Sequence, residues 1–484
     1  MYNSSMVKQE KKTKEKVRTR FAPSPTGYLH VGSLRTAMYT FAFAKGINGE
    51  FILRVEDTDR NRFVMGATEN LIKILKDFGV YWDEGPEVGG PFAPYIQSER
   101  VKTGIYEKYA AQLVKQGNAY YCFCPPKSKE EIKSDHQAKK VEVRDVCRNL
   151  TSEEVAEKIK SGLIPAIRLR VPDKGTISYT DFILDKEIIW NLEDVDEVML
   201  LKSDKFPTYH LGVVVDDAVM KITHITRAHE WLPSTPVHLL LFKYLGFTIP
   251  QIGHMTDILD PNGGKLSKRK GNVACEQFLE DGYLKEAILN YVMLVGWAPK
   301  DNREIFTLDE FVKEFHKGNI QITNAVFNTN KLDWFNGLYI RQKSDKELAT
   351  LLEKFAPENA DMEMLLKITP LVKERIKKLS EFKELAGFFF EEPQIDTSLF
   401  TQEYKRHLES AISVIENVEG WELEKLNTGL MDRIFKEGFK TGKFFMDVRA
   451  AITGKKISPP INESMIILGK EKTLKRLASS FPKS

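Results

Sequence analysis

The fold is indicated by a stretch near the amino terminus that reads VRTRFAPSPTGYLHVGSLRTAMYTF from Val17 to Phe41. Apolar and polar residues alternate over 17–22, which predicts a short strand. A turn rich in proline and glycine follows at 23–27, and apolar residues then recur at helical spacing from Leu34 onward. Residues 51–56 alternate again. Strand, helix and strand in this order predict a parallel α/β unit.

The rest of the chain predicts several domains, because 484 residues with 42% hydrophobic content exceed what one core usually organises. Residues 120–160 are charged and irregular, which is typical of an insertion. The α/β pattern resumes at 211–216 (LGVVVD) and 222–226. From about Ser344 apolar residues recur at i, i+3, i+4 and i+7, so we predict an all-helical last third.

The composition of the chain limits the classes of function that it can have. Lysine plus arginine (71) nearly balances aspartate plus glutamate (68), so the net charge of +3 does not by itself indicate a nucleic-acid partner. No apolar run approaches the roughly 18 residues of a membrane span, and the lysine-rich start lacks the apolar segment of a secretory signal. We therefore predict no membrane span, a cytoplasmic location and a disordered basic leader at 1–16.

Two short motifs carry the chemistry. The turn at 23–27 brings backbone N–H groups, His30 and Ser33 to the start of a helix, where unpaired amides and the helix dipole favour phosphate oxygens. The second motif, GGKLSKRKG at 263–271, is a cationic loop whose lysines suit the negative charge that develops on phosphorus. Each has a plain alternative: a βα turn with an incidental histidine, or a solvated basic loop.

Taken together, the two motifs resemble the paired motifs of class I aminoacyl-tRNA synthetases. Further segments resemble glutamyl-tRNA synthetases in the same order, namely RVEDTDR at 54–60, PTYHL at 207–211 and TRAHEW at 226–231. The similarity runs from about Val17 to the carboxyl terminus. There, 440–443 and 449–454 are similar to the helical anticodon-binding region of the bacterial type.

The resemblance implies a Rossmann-type catalytic domain with a parallel sheet, an inserted acceptor-stem-binding subdomain and an all-helical anticodon-binding region. We place the boundaries at 1–16 for the leader, 17–118 and 205–257 for the two halves of the catalytic domain, 119–204 for the insert, 258–343 for a stem-contact region with the KLSKR loop, and 344–484 for the helical anticodon-binding domains.

Glutamate presents two carboxylates and one ammonium, so its pocket requires arginines, one carboxylate and hydroxyls. The predicted glutamate-binding residues are Arg20, Ala22, Ser24, Glu56, Tyr209 and Arg227. The resemblance assigns Arg20 to the side-chain carboxylate, Arg227 to another substrate carboxylate, and Glu56 and Tyr209 to the ammonium. A charge-assisted bond to arginine is worth roughly 1.5–3 kcal/mol and is largely lost with an amide, which favours glutamate over glutamine. Considered singly, each residue fits a surface ion pair or a packed tyrosine equally well.

The resemblance also implies the reaction. The glutamate α-carboxylate attacks the α-phosphorus of ATP, pyrophosphate leaves, and the terminal ribose of the tRNA then attacks the glutamyl-adenylate. His30, Lys265, Lys268 and Mg²⁺ assist by positioning and charge stabilisation, and activation typically requires bound tRNA. The predicted ATP-binding residues are Thr26, Gly27, His30, Gly32, Ser33, Glu230, Leu232, Lys265, Ser267 and Lys268.

Three positions depart from the family pattern. His229 stands where an acidic residue usually precedes Glu230, and Val213 stands where an asparagine is usual. Cys122, Cys124 and Cys147 resemble the zinc knuckle of some family members, but the usual last ligand, a histidine, is missing. His136 would complete the set, and buried or loop thiols are the alternative.

The predicted macromolecular partner is the glutamate tRNA, with the glutamine tRNA left open, and the predicted state is a monomer. Segments 373–378 and 436–449 are basic, and the second carries Phe439, Phe444 and Phe445, which suits phosphates and unpaired bases. Amphipathic helices with core aromatics give the same pattern.

Two other functions remain open. One is a glutaminyl-tRNA synthetase or another class I nucleotidyltransferase, and the helical carboxyl-terminal region and paired arginines argue against it. The other is a catalytically silent tRNA-binding paralogue, and the intact His30, Lys265 and Lys268 argue against that.

Overall fold

The computed structural model describes residues 16–60, 62, 64–125, 140–266 and 273–481. The chain divides into two compact units, Met1–Glu276 with Val292–Phe327 and Gln277–Tyr291 with Asn328–Ser484. Most of the predicted leader, together with His136, Ser267 and Lys268, lies outside the described residues. Within the described ranges, no helix is both long and apolar enough to cross a membrane.

The strands belong to four sheets in the first unit. In chain order they are β1 (Arg18–Phe21), β2 (Glu50–Leu53), β3 (Ala119–Cys122), β4 (Ala166–Leu169), β5 (Thr176–Asp181), β6 (Lys186–Asn191), β7 (Met199–Leu201), β8 (His224–Ala228), β9 (Gln251–Met255), β10 (Ile258–Leu259) and β11 (Ala325–Val326).

The helices from 31 to 314 include the connections between these strands. They are α1 (Val31–Lys45), α2 (Ala67–Asp77), α3 (Gln97–Val101), α4 (Ile105–Lys115), α5 (Ser152–Lys160), α6 (Tyr209–Val219), α7 (Thr235–Leu245), α8 (Cys275–Glu280), α9 (Lys285–Leu294) and α10 (Leu308–Glu314).

The central sheet is parallel, in the order β2-β1-β8-β9. Helix α1 connects β1 to β2, so the predicted βαβ unit is confirmed. Phe51, Ile52 and Leu53 of β2 are all buried, as expected where helices cover both faces of a parallel sheet. The register places Arg227 of β8 opposite His254 of β9.

The predicted insertion carries an antiparallel sheet, β3-β4-β7, and an antiparallel hairpin of β5 and β6. Its β4 includes Ile167 and Leu169, which alternate in the sequence and are both buried. They share a core with buried residues of α4, α6 and α7. This sheet is therefore packed on the catalytic part of the same unit.

Residues 211–216, where the α/β pattern resumes in the sequence, lie inside a helix, α6, and not in a strand. Leu211, Val213, Val214 and Val215 are all buried. A short segment that is apolar on every side can be either a helix or a strand, and periodicity alone does not separate the two. Asp216 and Asp217 lie near the end of this helix. Their carboxylates pair with Arg100 and Arg54, respectively.

The second unit is helical in its described residues, which confirms the prediction for the last third. Its helices beyond 328 are α11 (Thr329–Gln342), α12 (Asp345–Leu352), α13 (Met362–Val372), α14 (Glu381–Ala386), α15 (Tyr404–Asn417), α16 (Leu423–Glu437), α17 (Thr441–Thr453), α18 (Ile461–Leu468) and α19 (Lys470–Ser479). A capping box of Ser344 and Glu347 begins α12, and Gly438 in the left-handed region (φ 70°) ends α16.

Candidate active site

A cavity of about 520 Å³ lies at the carboxyl-terminal edge of the parallel sheet, where β1 and β8 end. Open parallel sheets bind ligands at this edge, and the volume is in the usual range for small-molecule sites. All six residues predicted to bind glutamate line it: Arg20, Ala22, Ser24, Glu56, Tyr209 and Arg227. The fold therefore brings them together from four separate stretches of the chain.

The buried carboxylate of Asp217 holds two arginines at one end of this cavity. Its Oδ1 atom lies 3.1 Å from Arg20 Nε and 2.7 Å from an Arg54 terminal nitrogen. Arg54 also lies 2.9 Å from Glu56 Oε1. Burial raises the pKa of Glu56, although the charges of Arg54 and Arg20 oppose that shift. Glu56 and Arg20 thus line the cavity as members of one ion-pair network.

Arg227 is held differently. Its Nε atom lies 2.9 Å from His254 Nε2, one terminal nitrogen lies 3.0 Å from His238 Nδ1, and the other lies 2.7 Å from Thr235 Oγ1. The side chain is 5% exposed. Burial lowers the pKa of its guanidinium, which stays positively charged because arginine titrates so far above neutrality. The rings of Tyr209 and Trp231 lie 4.3 Å apart between centroids and are tilted to each other. Tyr209 lines the same cavity as Arg227.

The turn before α1 builds another part of the cavity wall. Thr26, Gly27, His30, Gly32 and Ser33 all line it, as predicted for an ATP site. His30 caps α1, and its Nδ1 atom accepts a hydrogen bond from the Gly32 amide at 2.9 Å. The neutral imidazole therefore carries its proton on Nε2. A Cβ atom on Gly32 would approach His30 Nδ1 to 3.1 Å, so this contact favours glycine.

Lys265 and Glu230 also line the cavity, whereas Leu232 does not. Lys265 Nζ is 3.1 Å from Asp257 Oδ1 and also contacts Glu230. Although burial opposes it, this pairing raises the pKa of Lys265, so the ammonium form is retained. The predicted Ser267 and Lys268 fall in the undescribed stretch 267–272.

The two motif segments meet in space. The amide of Val31 donates to the Val273 carbonyl at 2.9 Å, and the amide of Cys275 donates to the Leu29 carbonyl at 2.8 Å. On the other side of the stretch 267–272, Leu266 lines the cavity together with His30. The two ends of the lysine loop therefore lie against the segment that carries His30.

Three further charged residues of the cavity, Arg35, Arg62 and Asp257, escaped the sequence analysis. Arg35 is 4% exposed and contacts the Thr256 carbonyl, and Asp257 pairs with Lys265. A signal for Arg35 exists, because it stands three residues before buried Met38 on the apolar face of α1. No local pattern marks Asp257.

The cysteine cluster gains a member that the sequence did not suggest. Ligand atoms of Cys122, Cys124, Asp145 and Cys147 all lie within 4.8 Å of one another. Asp145 Oδ2 is 3.3 Å from Cys122 Sγ, and Oδ1 is 3.5 Å from Cys124 Sγ. The fourth member of the cluster is therefore a carboxylate. His136 lies in the stretch 126–139, outside the described residues.

Comparison with known proteins identifies the class. The chain matches the family described as tRNA synthetases class I (E and Q), catalytic domain, over residues 16–334, and the anticodon binding domain family over 347–480. A parallel sheet with the His30 turn and the Lys265 segment at one cavity agrees with this class. The protein is a class I aminoacyl-tRNA synthetase.

The relatives specify the amino acid. The glutamate–tRNA ligase of Treponema denticola is 41% identical, covering 95% of this chain and 98% of the relative. That of Clostridium novyi is 42% identical, covering 96% and 97%. A crystal structure of the glutamate tRNA ligase from Elizabethkingia meningosepticum, in complex with its amino acid, has a TM-score of 0.82 at 34% identity, covering 96% and 99%. The chain belongs to the glutamate–tRNA ligase family and joins glutamate to tRNA, which confirms the predicted family, fold class and activity over both alternatives.

Proposed function

We propose that the cavity binds glutamate at the end formed by Arg20, Glu56 and Arg227 and binds ATP at the end formed by His30 and Lys265. The observation that carries this division is that two chemically different sets of groups line one cavity. Buried arginines and a buried carboxylate make up the first set, and an imidazole, backbone amides and a lysine make up the second. Two carboxylates and an ammonium match the first set, and a triphosphate matches the second.

In the adenylation step, the glutamate α-carboxylate attacks the α-phosphorus and pyrophosphate leaves. His30 would donate to a phosphate oxygen through Nε2–H, because its Nδ1 atom accepts from the Gly32 amide. Lys265 exchanges its contacts with Glu230 and Asp257 for phosphate oxygens, which stabilises the charge on phosphorus. A Mg²⁺ ion that accompanies ATP would be bound mainly by the phosphates, and Asp257 is the cavity carboxylate that could add a ligand. It would supply further positive charge for the phosphates.

In the transfer step, the terminal ribose of the tRNA attacks the adenylate. The second unit supplies surfaces that suit the rest of the tRNA. Of the predicted aromatic residues, Phe444 is buried, and Phe439 and Phe445 are half-buried. Phe435 in α16, which was not predicted, is 90% exposed beside Lys436. An exposed aromatic with neighbouring lysines is suited to stacking on an unpaired base. The monomeric state, the cytoplasmic location and charging of a glutamine tRNA stay predictions.

Pyrophosphate exchange with ATP tests this function. With the glutamate tRNA present, we expect exchange that depends on glutamate and is at least about 100-fold weaker with glutamine, because an amide does not pair with a buried arginine. Without tRNA, we expect little exchange. Equal exchange with both amino acids would contradict the proposed pairing, and adding a glutamine tRNA to the charging assay determines whether that tRNA is a second substrate.

We further infer that the cysteine cluster binds zinc. Zinc prefers four S, N or O donors at about 2.0–2.3 Å from the ion, and four ligand atoms within 4.8 Å of one another fit that arrangement. Three thiolates and one carboxylate leave the site negatively charged. Arg168 Nε, at 3.5 Å from Asp145 Oδ2, partly offsets that charge. Bound zinc would hold the carboxyl-terminal end of β3 next to the segment around Cys147. It would take no part in the aminoacylation reaction.

Metal analysis of the full chain, purified without chelator, is expected to find about one zinc per chain. Cys124→Ser and Asp145→Asn are expected to lower that content strongly. Cys275→Ala provides the control, because Cys275 is also buried but lies outside the cluster. A wild-type protein that takes up no zinc even after zinc is added would show that the four residues are packed thiols and a structural aspartate.

A further inference from the structure

The three groups that hold the Arg227 guanidinium are all uncharged acceptors. They are the ring nitrogens of His254 and His238 and the hydroxyl of Thr235. All three side chains are buried, at 0%, 2% and 0% exposed respectively. Among the described residues no carboxylate pairs with Arg227. This is unusual in a site where Arg20 and Arg54 each pair with Asp217.

The buried carboxylate of Asp181 sets which ring nitrogen of His254 is the acceptor. Asp181 Oδ2 lies 2.6 Å from His254 Nδ1, and its other oxygen accepts from the backbone amides of Ile183 and Leu184. Although burial opposes ionisation, these hydrogen bonds, led by that from His254, lower the pKa of Asp181. An ionised Asp181 requires the proton on Nδ1. His254 Nε2 is then a lone pair that faces Arg227 Nε.

The same logic extends to His238. Its Nδ1 accepts from Arg227, so its proton lies on Nε2, which is 3.2 Å from His210 Nδ1. Burial and the charge of Arg227 lower the pKa of His238 well below the ordinary value. Burial likewise lowers the pKa of His254, again with the charge of Arg227 acting in the same direction. Both rings are therefore neutral near pH 7.

We propose that Asp181, His254, His238 and Thr235 form a positioning set that orients Arg227 through neutral acceptors and so reserves its positive charge for a substrate carboxylate. The inference rests on the proposed role of Arg227 in binding glutamate and deepens it. A carboxylate in the place of either ring would neutralise the guanidinium internally, as Asp217 does for Arg20 and Arg54. Neutral acceptors fix the geometry and leave the full positive charge of Arg227 for the carboxylate that it binds.

Asp181→Asn tests the arrangement at its source. The amide can keep its oxygen toward the Ile183 and Leu184 amides while its N–H₂ group faces His254 Nδ1. The proton then moves to Nε2, which places a donor against the Arg227 donor, an effect analogous to an aspartate that sets a histidine tautomer in a catalytic triad. We expect the Kd for glutamate, measured by calorimetry on the full chain without tRNA, to rise about 10- to 100-fold. The Kd for ATP should change by less than about 3-fold.

A matched control exists in the second unit. Asp447 and His407 form another buried aspartate–histidine pair, also 2.6 Å apart with both side chains 0% exposed. Asp447→Asn should therefore cost comparable stability and leave the glutamate Kd unchanged. Thr235→Val, which removes one acceptor at constant shape, should raise the glutamate Kd about 10-fold, and Thr235→Ser should restore it. The two Thr235 variants test the positioning set if the Asp181→Asn protein does not fold.

The outcomes separate the two levels of the proposal. If Arg227→Gln loses glutamate binding but Asp181→Asn and Thr235→Val bind it normally, the positioning set is wrong and the role of Arg227 stands. If Arg227→Gln also binds glutamate normally, the proposed role of Arg227 itself fails. If Asp181→Asn weakens ATP and glutamate equally, its effect is general loss of structure, which overturns the inference.

Discussion

Replacing Arg227 with glutamine is expected to lower kcat/KM for glutamate in tRNA charging by about 100- to 1,000-fold. Removing one partner of a buried charge pair costs about 2–5 kcal/mol, because the remaining charge is left without compensation. Here the remaining charge is a carboxylate of the substrate, so the cost appears as lost catalytic efficiency. The partners of Arg227 in the protein are neutral, so the substitution leaves no buried charge of the protein unpaired and folding should survive.

Arg303→Gln is the control, since it makes the same change of charge at a half-exposed surface site of the first unit. It should alter kcat/KM by less than about 2-fold. A value for Arg227→Gln within about 3-fold of the wild type would remove this residue from the glutamate site.

Much of the fold follows from local sequence patterns. Alternation at 17–22 and helical spacing from Leu34 correctly predict β1 and α1. The same patterns place Arg20 at the cavity edge, since the carboxyl end of a strand in a parallel sheet is also the ligand edge. Residues 211–216 show the limit. A wholly buried segment has no polar face, so its sequence carries no period to read.

The partners of the site residues could not be predicted in the same way. Asp181 in β5 reaches His254 in β9 across 73 residues, and Asp145 joins cysteines that precede it by more than 20. Such contacts depend on how sheets and connections pack, and no short pattern encodes them. The resemblance to a family supplied the residues that would touch substrate, whereas the groups that orient those residues became visible only in the fold.

Lys268→Ala is expected to lower turnover by about 100- to 1,000-fold, with only a modest loss of tRNA affinity. Donors aimed at charge that develops in the transition state contribute roughly 3–4 kcal/mol each, and they act on turnover more than on ground-state binding. The described neighbours support a role at this cavity. Leu266 lines it, Val273 accepts from Val31 at 2.9 Å, and two residues reach at most about 7 Å beyond Leu266.

Single-turnover adenylate formation and tRNA binding, measured on the same preparations, separate this role from a general electrostatic effect of the loop. Lys270→Ala is the matched control, because it removes the same charge from the same GGKLSKRKG segment. If Lys268 stabilises the transition state, its loss slows adenylate formation while Lys270→Ala stays within about 5-fold of the wild type. If both substitutions slow the step equally, the loop acts through its summed charge, and near-normal turnover of Lys268→Ala would exclude it from the chemistry altogether.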